Sequence, residues 1–360
     1  MFTLREISLV QFRNYHLQSF PFSERIIGIC GLNGTGKTNL LDAIYYLSFS
    51  RSYHNRSDAQ NVEHGQQGFR LEGSFQIREA EYRVICIVRE TLKKERILNG
   101  EPCKKLSDQV GKFPVVMIAP DDIALITGGG EERRKWLDTL LSQLDAAYLQ
   151  SLISYQRILS QRNSLLKQLQ ENLSTDTTLL EVLDNQLCIH GNAIFTTRKY
   201  FLDDFIPRIQ RIYQQIANGE DGLTIRYDSH LLLTPFNQLL KETQNRDKLL
   251  MRTTRGPHRD DLILLKGNEP FKQEGSQGQK KSLLFALKLA EWEVLEQHKG
   301  FPPILLLDDI FEKLDGNRMN QLLHRVCKSE GGQVFITDTH RERLESELLQ
   351  TGIPFQLLDL

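Results

Sequence analysis

Apolar and polar residues alternate with a period near two along Leu4 to Phe12, Phe69 to Ile77 and Tyr82 to Val88. That is the pattern of strands with one buried face. Glu79-Ala80-Glu81 reads as a hairpin turn between the last two, and Asn99-Gly100 marks another turn. Pro114 to Pro120 frames a short apolar strand. After Gly128-Gly129-Gly130 the period changes. From Glu131 to about Gly219 prolines nearly vanish, and Leu137, Leu140, Leu141 and Leu144 recur at helical spacing, as do Leu152, Tyr155, Leu159 and Asn163. This predicts several antiparallel helices, with an apolar repeat too short for an extended coiled coil.

Strand character then returns. Asp261 to Lys266 reads as a strand, Gln277 to about His298 as a helix, and Pro303 to Asp308 as a fully buried strand. A helix from about Asn317 to Lys328 precedes the strand Gln333 to Thr337. Short apolar strands alternating with helices predict a parallel sheet. The expected fold is α/β: a split nucleotide-binding head, residues 1–127 and 255–360, enclosing a mainly helical arm, residues 128–254.

Composition narrows the function classes. The chain has 360 residues, 25% charged and 40% apolar, as in a soluble globular protein. A net charge of −1 supplies no global field toward a polyanion, so a nucleic-acid surface must be a local patch. Cys30, Cys86, Cys103, Cys188 and Cys327 are scattered without zinc-like spacing, and read as free thiols in a reducing cytosol. The N-terminus lacks a signal-peptide core, and no run reaches the roughly 18 apolar residues of a membrane span. A cytoplasmic protein without membrane contact is expected.

The chemistry begins at Gly31-Leu32-Asn33-Gly34-Thr35-Gly36-Lys37-Thr38, a complete G-x-x-x-x-G-K-T loop. An apolar strand, Arg25 to Cys30, precedes it, and a helix-like segment starting at Asn39 follows, the context the motif requires. Glycine-freed N–H groups and a helix N-terminus make an anion site for phosphates. Lys37 would reach the β- and γ-phosphates of ATP, and Thr38 would hold Mg²⁺. Ile304 to Asp309 supplies the strand-borne acids that complement such a loop. Asp308 is the metal candidate, and Asp309 is placed to orient or deprotonate the attacking water.

A second helix start, Ser276-Gln277-Gly278-Gln279, offers another anion site, although read alone it is better taken as an ordinary helix capped by Ser276. Two anion sites and a strand acid resemble the ATP-binding-cassette arrangement, in which the signature helix of one protomer covers the nucleotide held by another. An ATP-dependent homodimer would then bury two nucleotides.

The chain as a whole resembles the RecF family, whose heads are of the SMC type. The resemblance rests on Phe12-Arg13-Asn14-Tyr15, the extended loop and helix Gly34 to Ser48, Arg133-Arg134-Lys135-Trp136-Leu137-Asp138, Tyr148 to Tyr155, Gln161 to Lys167, Gly256 to Leu262 and Ser276 to Gln279, in that order. It implies an SMC-type ATPase head engaging double-stranded and gapped DNA, cooperation with RecO and RecR in loading RecA, and slow ATP hydrolysis that resets a clamp. There are departures. Glu312-Lys313-Leu314-Asp315 stands where the family shows S-E-L-D, and His340 lies two residues late for a γ-phosphate sensor after the strand ending near Thr337.

DNA contacts would come from local basic clusters: Lys93, Lys94 and Arg96, Lys104 and Lys105, Arg133, Arg134 and Lys135, then Arg157, Arg162 and Lys167. Interleaved acids dilute the field, so each cluster by itself is more often a solvated face than a phosphate contact. Arg255, His258 and Arg259 fit either a phosphate contact or a salt-bridged turn. Two other classes stay open: a DNA-binding scaffold with a structural ATP site, and a transporter-type nucleotide-binding subunit. Most of the chain separates Thr38 from Ser276, which disfavours the latter.

Overall fold

A computed structural model describes all residues except 1, 55, 172–176, 218–221, 310–325 and 327–331. The expected helix from Asn317 to Lys328, the Glu312 to Asp315 loop and Cys327 therefore lie outside the described residues, save Val326. In chain order the strands are β1 (Phe2–Phe12), β2 (Tyr15–Pro21), β3 (Ile26–Cys30), β4 (Phe69–Ile77), β5 (Ala80–Val88), β6 (Lys94–Leu98), β7 (Glu101–Pro102) and β8 (Val115–Ile118). They continue with β9 (Leu223–Asp228), β10 (Asp261–Lys266), β11 (Glu269–Pro270), β12 (Ile304–Leu307), β13 (Val334–Asp338) and β14 (Phe355–Asp359). Helix α1 (Lys37–Phe49) follows β3.

Two compact units divide the chain, Met1–Asp122 with Leu284–Leu360, and Ile123–Leu283. The first holds an antiparallel sheet in the order β2-β1-β4-β5-β6-β7 and a parallel sheet in the order β14-β3-β13-β12-β8. In β1 the buried apolar residues run Phe2, Leu4, Ile7, Leu9 and Phe12. The three-residue step after Leu4 coincides with a register shift between Leu4 and Glu6, where a bulge keeps one face apolar. Asn99 and Gly100 turn β6 into β7 with φ of 51° and 88°, the paired left-handed backbone that an Asn-Gly hairpin favours. Helix α1 is apolar on nearly every side, with Leu40, Leu41, Ile44, Tyr45, Tyr46 and Leu47 buried. A helix of that kind needs cover all round. It packs on β4 and β5 of one sheet and on β8 and β13 of the other.

The second unit carries helices Gly130–Leu144, Ala146–Gln170, Thr177–Ala217 and Phe236–Leu250 with the sheet β11-β10-β9. The helix Thr177–Ala217 is 41 residues long, with Pro207 inside it. β10 pairs antiparallel with β9. The stretch 255–283, expected with the head, accordingly groups with the helical unit. Helix Gln277–Lys299 runs across the boundary of the two units. Cys30, Cys86, Cys103 and Cys188 are free thiols, and among the described residues no helix is long and apolar enough to cross a membrane.

Candidate nucleotide site

All strands of the parallel sheet point the same way, so the segments leaving β3, β12 and β13 emerge at one edge. Ligands bind at such carboxyl-terminal edges of open α/β sheets. From β3 comes the loop Gly31 to Gly36, in which Gly36 has a φ of 119°. A Cβ at Gly36 would meet Asn14 Nδ2 at 2.6 Å and Tyr15 Oη at 2.7 Å, so glycine is required there twice over. No side chain caps α1 at Gly36. Its first-turn N–H groups are thus left to an outside acceptor, which fits a phosphate. Lys37, 5% exposed, folds its Nζ onto the carbonyls of Gly31 (2.7 Å) and Leu32 (3.0 Å).

From β12 comes Asp308, buried beside α1. Thr38 Oγ1 reaches its two carboxylate oxygens at 3.1 and 2.9 Å, and Thr337 Oγ1 on β13 donates to Oδ1 at 2.8 Å. Burial pushes the Asp308 pKa up, and the bonds from Thr337 and Thr38 pull against it. A buried carboxylate next to a hydroxyl is a donor set of hard oxygens that fits Mg²⁺. Asp309 has a φ of 45°, and its N–H donates to Thr337 Oγ1 at 2.9 Å. Thr337 therefore ties both strand acids to β13. Asp338 accepts from Arg343 at 2.8 and 2.5 Å and from the His340 N–H at 3.0 Å, while the His340 side chain is exposed.

Phe12-Arg13-Asn14-Tyr15 is the scaffold of this loop. Tyr15 Oη donates to the Gly36 carbonyl (3.1 Å) and Asn14 Nδ2 to the Thr35 carbonyl (2.9 Å). Asn39 Nδ2 donates to Asn14 Oδ1 at 2.7 Å, and Arg13 Nη1 donates to Asn39 Oδ1 at 2.7 Å. The Arg13 guanidinium also pairs with Asp42, which is fully buried on α1. Asp42 further accepts from Ser52 Oγ at 2.8 Å and the Tyr53 N–H at 2.7 Å. Sequence reading recognised this tetrapeptide but assigned it no role. The signal for Asp42 was a charge on the apolar side of α1, where only a partner makes burial tolerable.

The second anion-site candidate belongs to the second unit. Ser276 caps its own helix: Gln279 N–H donates to Ser276 Oγ at 3.2 Å and the Ser276 N–H donates to Gln279 Oε1 at 2.8 Å. This capping box leaves Ser276 and Gln277 exposed, with Gly278 and Gln279 half-buried.

The expected DNA clusters divide by burial. Arg133 is buried, its Nε and Nη2 on the two Asp261 oxygens at 2.8 and 2.9 Å, and Arg134 donates to the Asp260 carbonyl at 2.6 Å. Those bonds tie both arginines of the helix Gly130–Leu144 to residues 260–261 at the start of β10. Arg162, fully buried, bonds Asp184 at 2.5 Å and Asp247 at 2.8 Å. Lys94 reaches the Ser50 carbonyl (2.5 Å) and Asp58 (2.9 Å), and Arg96 is buried against Ser50 Oγ (2.9 Å). Both grip the C-terminal end of α1, where cations are favoured. Lys93, Lys104 and Lys105 are exposed, Lys93 with Glu95 at 3.8 Å. In the Gly256 to Leu262 element, His258 bonds Tyr155 Oη (2.7 Å) and the Thr253 carbonyl (3.1 Å), and Arg255 bonds His230. Of that basic trio only Arg259 is exposed.

Residues 3–354 match the RecF/RecN/SMC N-terminal domain. The DNA replication and repair protein RecF of Flavobacterium johnsoniae is 40% identical over 99% of both chains. That of Bacteroides thetaiotaomicron is 38% identical over 98% of this chain and 95% of its own. A solved structure of the recombination mediator protein RecF with ATP, of the RecFOR pathway, superposes with a TM-score of 0.87 at 33% identity, covering 94% of this chain and 92% of that one. The Smc head domain of Pyrococcus furiosus shares the fold, at a TM-score of 0.54 and 17% identity. An SMC-type α/β ATPase head, a phosphate loop backed by a strand acid and full-length likeness to curated relatives agree: this chain belongs to the RecF family.

Proposed function

We propose that the chain is an ATP-dependent clamp on double-stranded DNA near single-strand gaps, which aids RecA loading together with RecO and RecR and is reset by slow ATP hydrolysis. The single observation that carries the ATP half is Thr38 Oγ1 against Asp308, 2.9 Å apart beneath a helix start with no side-chain cap. Membership of the RecF family supports the DNA half.

In this reading the loop N–H groups and Lys37 bind and orient the phosphates, and Lys37 leaves the Gly31 and Leu32 carbonyls for them. Thr38 and Asp308 would hold Mg²⁺, which would supply positive charge to the phosphates. Asp309 takes the proton of the attacking water. An Asp is a shorter and weaker base than a Glu at that distance, which supports slow turnover, with DNA as the stimulus. Ser276, Gln277, Gly278 and Gln279 of a second copy roof the γ-phosphate, so ATP joins two heads and hydrolysis releases them. Exposed Lys93, Lys104 and Lys105 contact phosphates without reading sequence. The work is done in the cytoplasm.

Light scattering after size exclusion, with and without ATP and a gapped duplex, tests this. A dimer only when ATP is supplied, lost in Lys37→Arg, is expected. A monomer throughout, with DNA affinity indifferent to ATP, would leave a passive DNA scaffold instead.

A further inference from the structure

Past the end of α1 the chain turns back through Ser50, whose φ is 54° and whose N–H closes on the Tyr46 carbonyl at 2.7 Å. The return is stapled at every step. Asp42 accepts from Ser52 Oγ and from the Tyr53 N–H. The Tyr53 ring lies edge-on to Tyr45 at 4.9 Å, its hydroxyl accepts from Lys288 Nζ at 3.0 Å, and it donates to Asp122. His54 comes next, its ring at 87° to that of Tyr53 with centroids 5.6 Å apart.

His54 Nε2 is buried and, among the described residues, has no hydrogen-bond partner. His258 differs. That half-buried ring has both nitrogens satisfied, by Tyr155 Oη and the Thr253 carbonyl. A buried ring nitrogen left unpaired is costly, and such groups persist where a ligand or a water completes them. Tyr53, its neighbour in the chain, donates to Asp122 just past β8, and the Ile118 carbonyl at the end of β8 accepts from the Asp308 N–H at 2.9 Å, which sets His54 beside the strand end that carries Asp308. The unpaired nitrogen and the acid expected to organise hydrolysis therefore share one neighbourhood in the first unit.

We propose that His54 is a further catalytic residue of the ATP site, its Nε2 hydrogen-bonding the water that attacks the γ-phosphate. The inference rests on the ATPase reading above. In the step, the water oxygen bonds the γ-phosphorus, the bond from that phosphorus to the β–γ bridging oxygen breaks, ADP departs and the water proton passes to Asp309. His54 orients the water and exchanges no proton. A second hydrogen bond to that water offsets the weakness of a short acid as base, since orientation lowers the barrier independently of basicity.

The test compares wild type, His54→Ala and His54→Gln by single-turnover hydrolysis, by affinity for ATPγS with Mg²⁺, and by melting temperature. Expected is a loss of at least about tenfold in hydrolysis for His54→Ala, with ATPγS affinity within about twofold and partial rescue by Gln, whose amide restores a hydrogen bond. Imidazole ¹⁵N spectra of the wild type supply a readout that needs no variant: the His54 Nε2 resonance should shift on adding ADP, Mg²⁺ and aluminium fluoride. Unchanged hydrolysis in a folded His54→Ala, or a silent resonance on a nucleotide-bound protein, overturns the proposal alone. A wild type that binds no ATPγS overturns it together with the ATPase reading.

Discussion

Thr38 and Asp308 stand 270 positions apart in sequence, yet the Thr38 hydroxyl meets the Asp308 carboxylate at 2.9 Å. β13 lies between the strands that deliver them, and its Thr337 holds Asp308 from the other side at 2.8 Å.

Asp308→Asn separates function from stability. Burial raises the Asp308 pKa, so its folded state binds a proton more readily than the unfolded chain. Its contribution to stability is therefore greatest below the ordinary carboxylate range and falls as pH rises through the folded value. At neutral pH the charge is kept at a cost. The amide should leave stability unchanged or raise it by about 1 kcal/mol while hydrolysis is lost. Urea melts beside a phosphate-release assay check this, and a strongly destabilised variant would contradict it.

Arg13→Ala should behave oppositely. It strands fully buried Asp42, to which the Ser52 hydroxyl and Tyr53 N–H supply dipoles but no charge. A loss of about 3–5 kcal/mol is expected. Restoring neutrality with Asp42→Asn in the Arg13→Ala background should recover part of it, measured as a double-mutant cycle in urea.

Basic residues of the two kinds should part company. Arg133→Ala leaves Asp261 without its bidentate partner, and should lower the melting temperature of the chain. Lys104→Ala with Lys105→Ala touches only exposed side chains. The double variant should melt as wild type yet bind duplex DNA more weakly, with a salt slope shallower by about 1 for each phosphate that is no longer neutralised. An unaltered slope would move the DNA surface elsewhere.

Acid should weaken the protein through His258. Desolvation lowers its pKa to about 4, with Arg259 and Arg134 adding to the shift and Asp247 opposing it. Because the unfolded histidine binds its proton near 6.5, stability is fully present above that pH and is lost as pH falls toward the folded value. The loss is on the order of 3 kcal/mol at most. Chemical denaturation at pH 7, 6 and 5 should show the decline, and His258→Gln should flatten it.

Local sequence determined much of this protein. The loop Gly31 to Thr38, the strands Phe69–Ile77 and Asp261–Lys266, and the turn at Asn99-Gly100 are each written in a few adjacent residues, because glycine conformation, side-chain alternation and turn preference are short-range properties. The acid after an apolar strand was legible for the same reason.

Only the tertiary structure decided which charges are inside. Arg133, Arg162 and Arg96 have the same side chain as any solvated arginine, and what buries each is an element far away in sequence. Asp261 stands 128 positions from Arg133, and Asp247 stands 85 from Arg162. His54 carried no periodic signal at all. Its significance comes from a ring nitrogen left unpaired among the described residues, beside the strand end that carries Asp308, a property of space that no window of sequence contains.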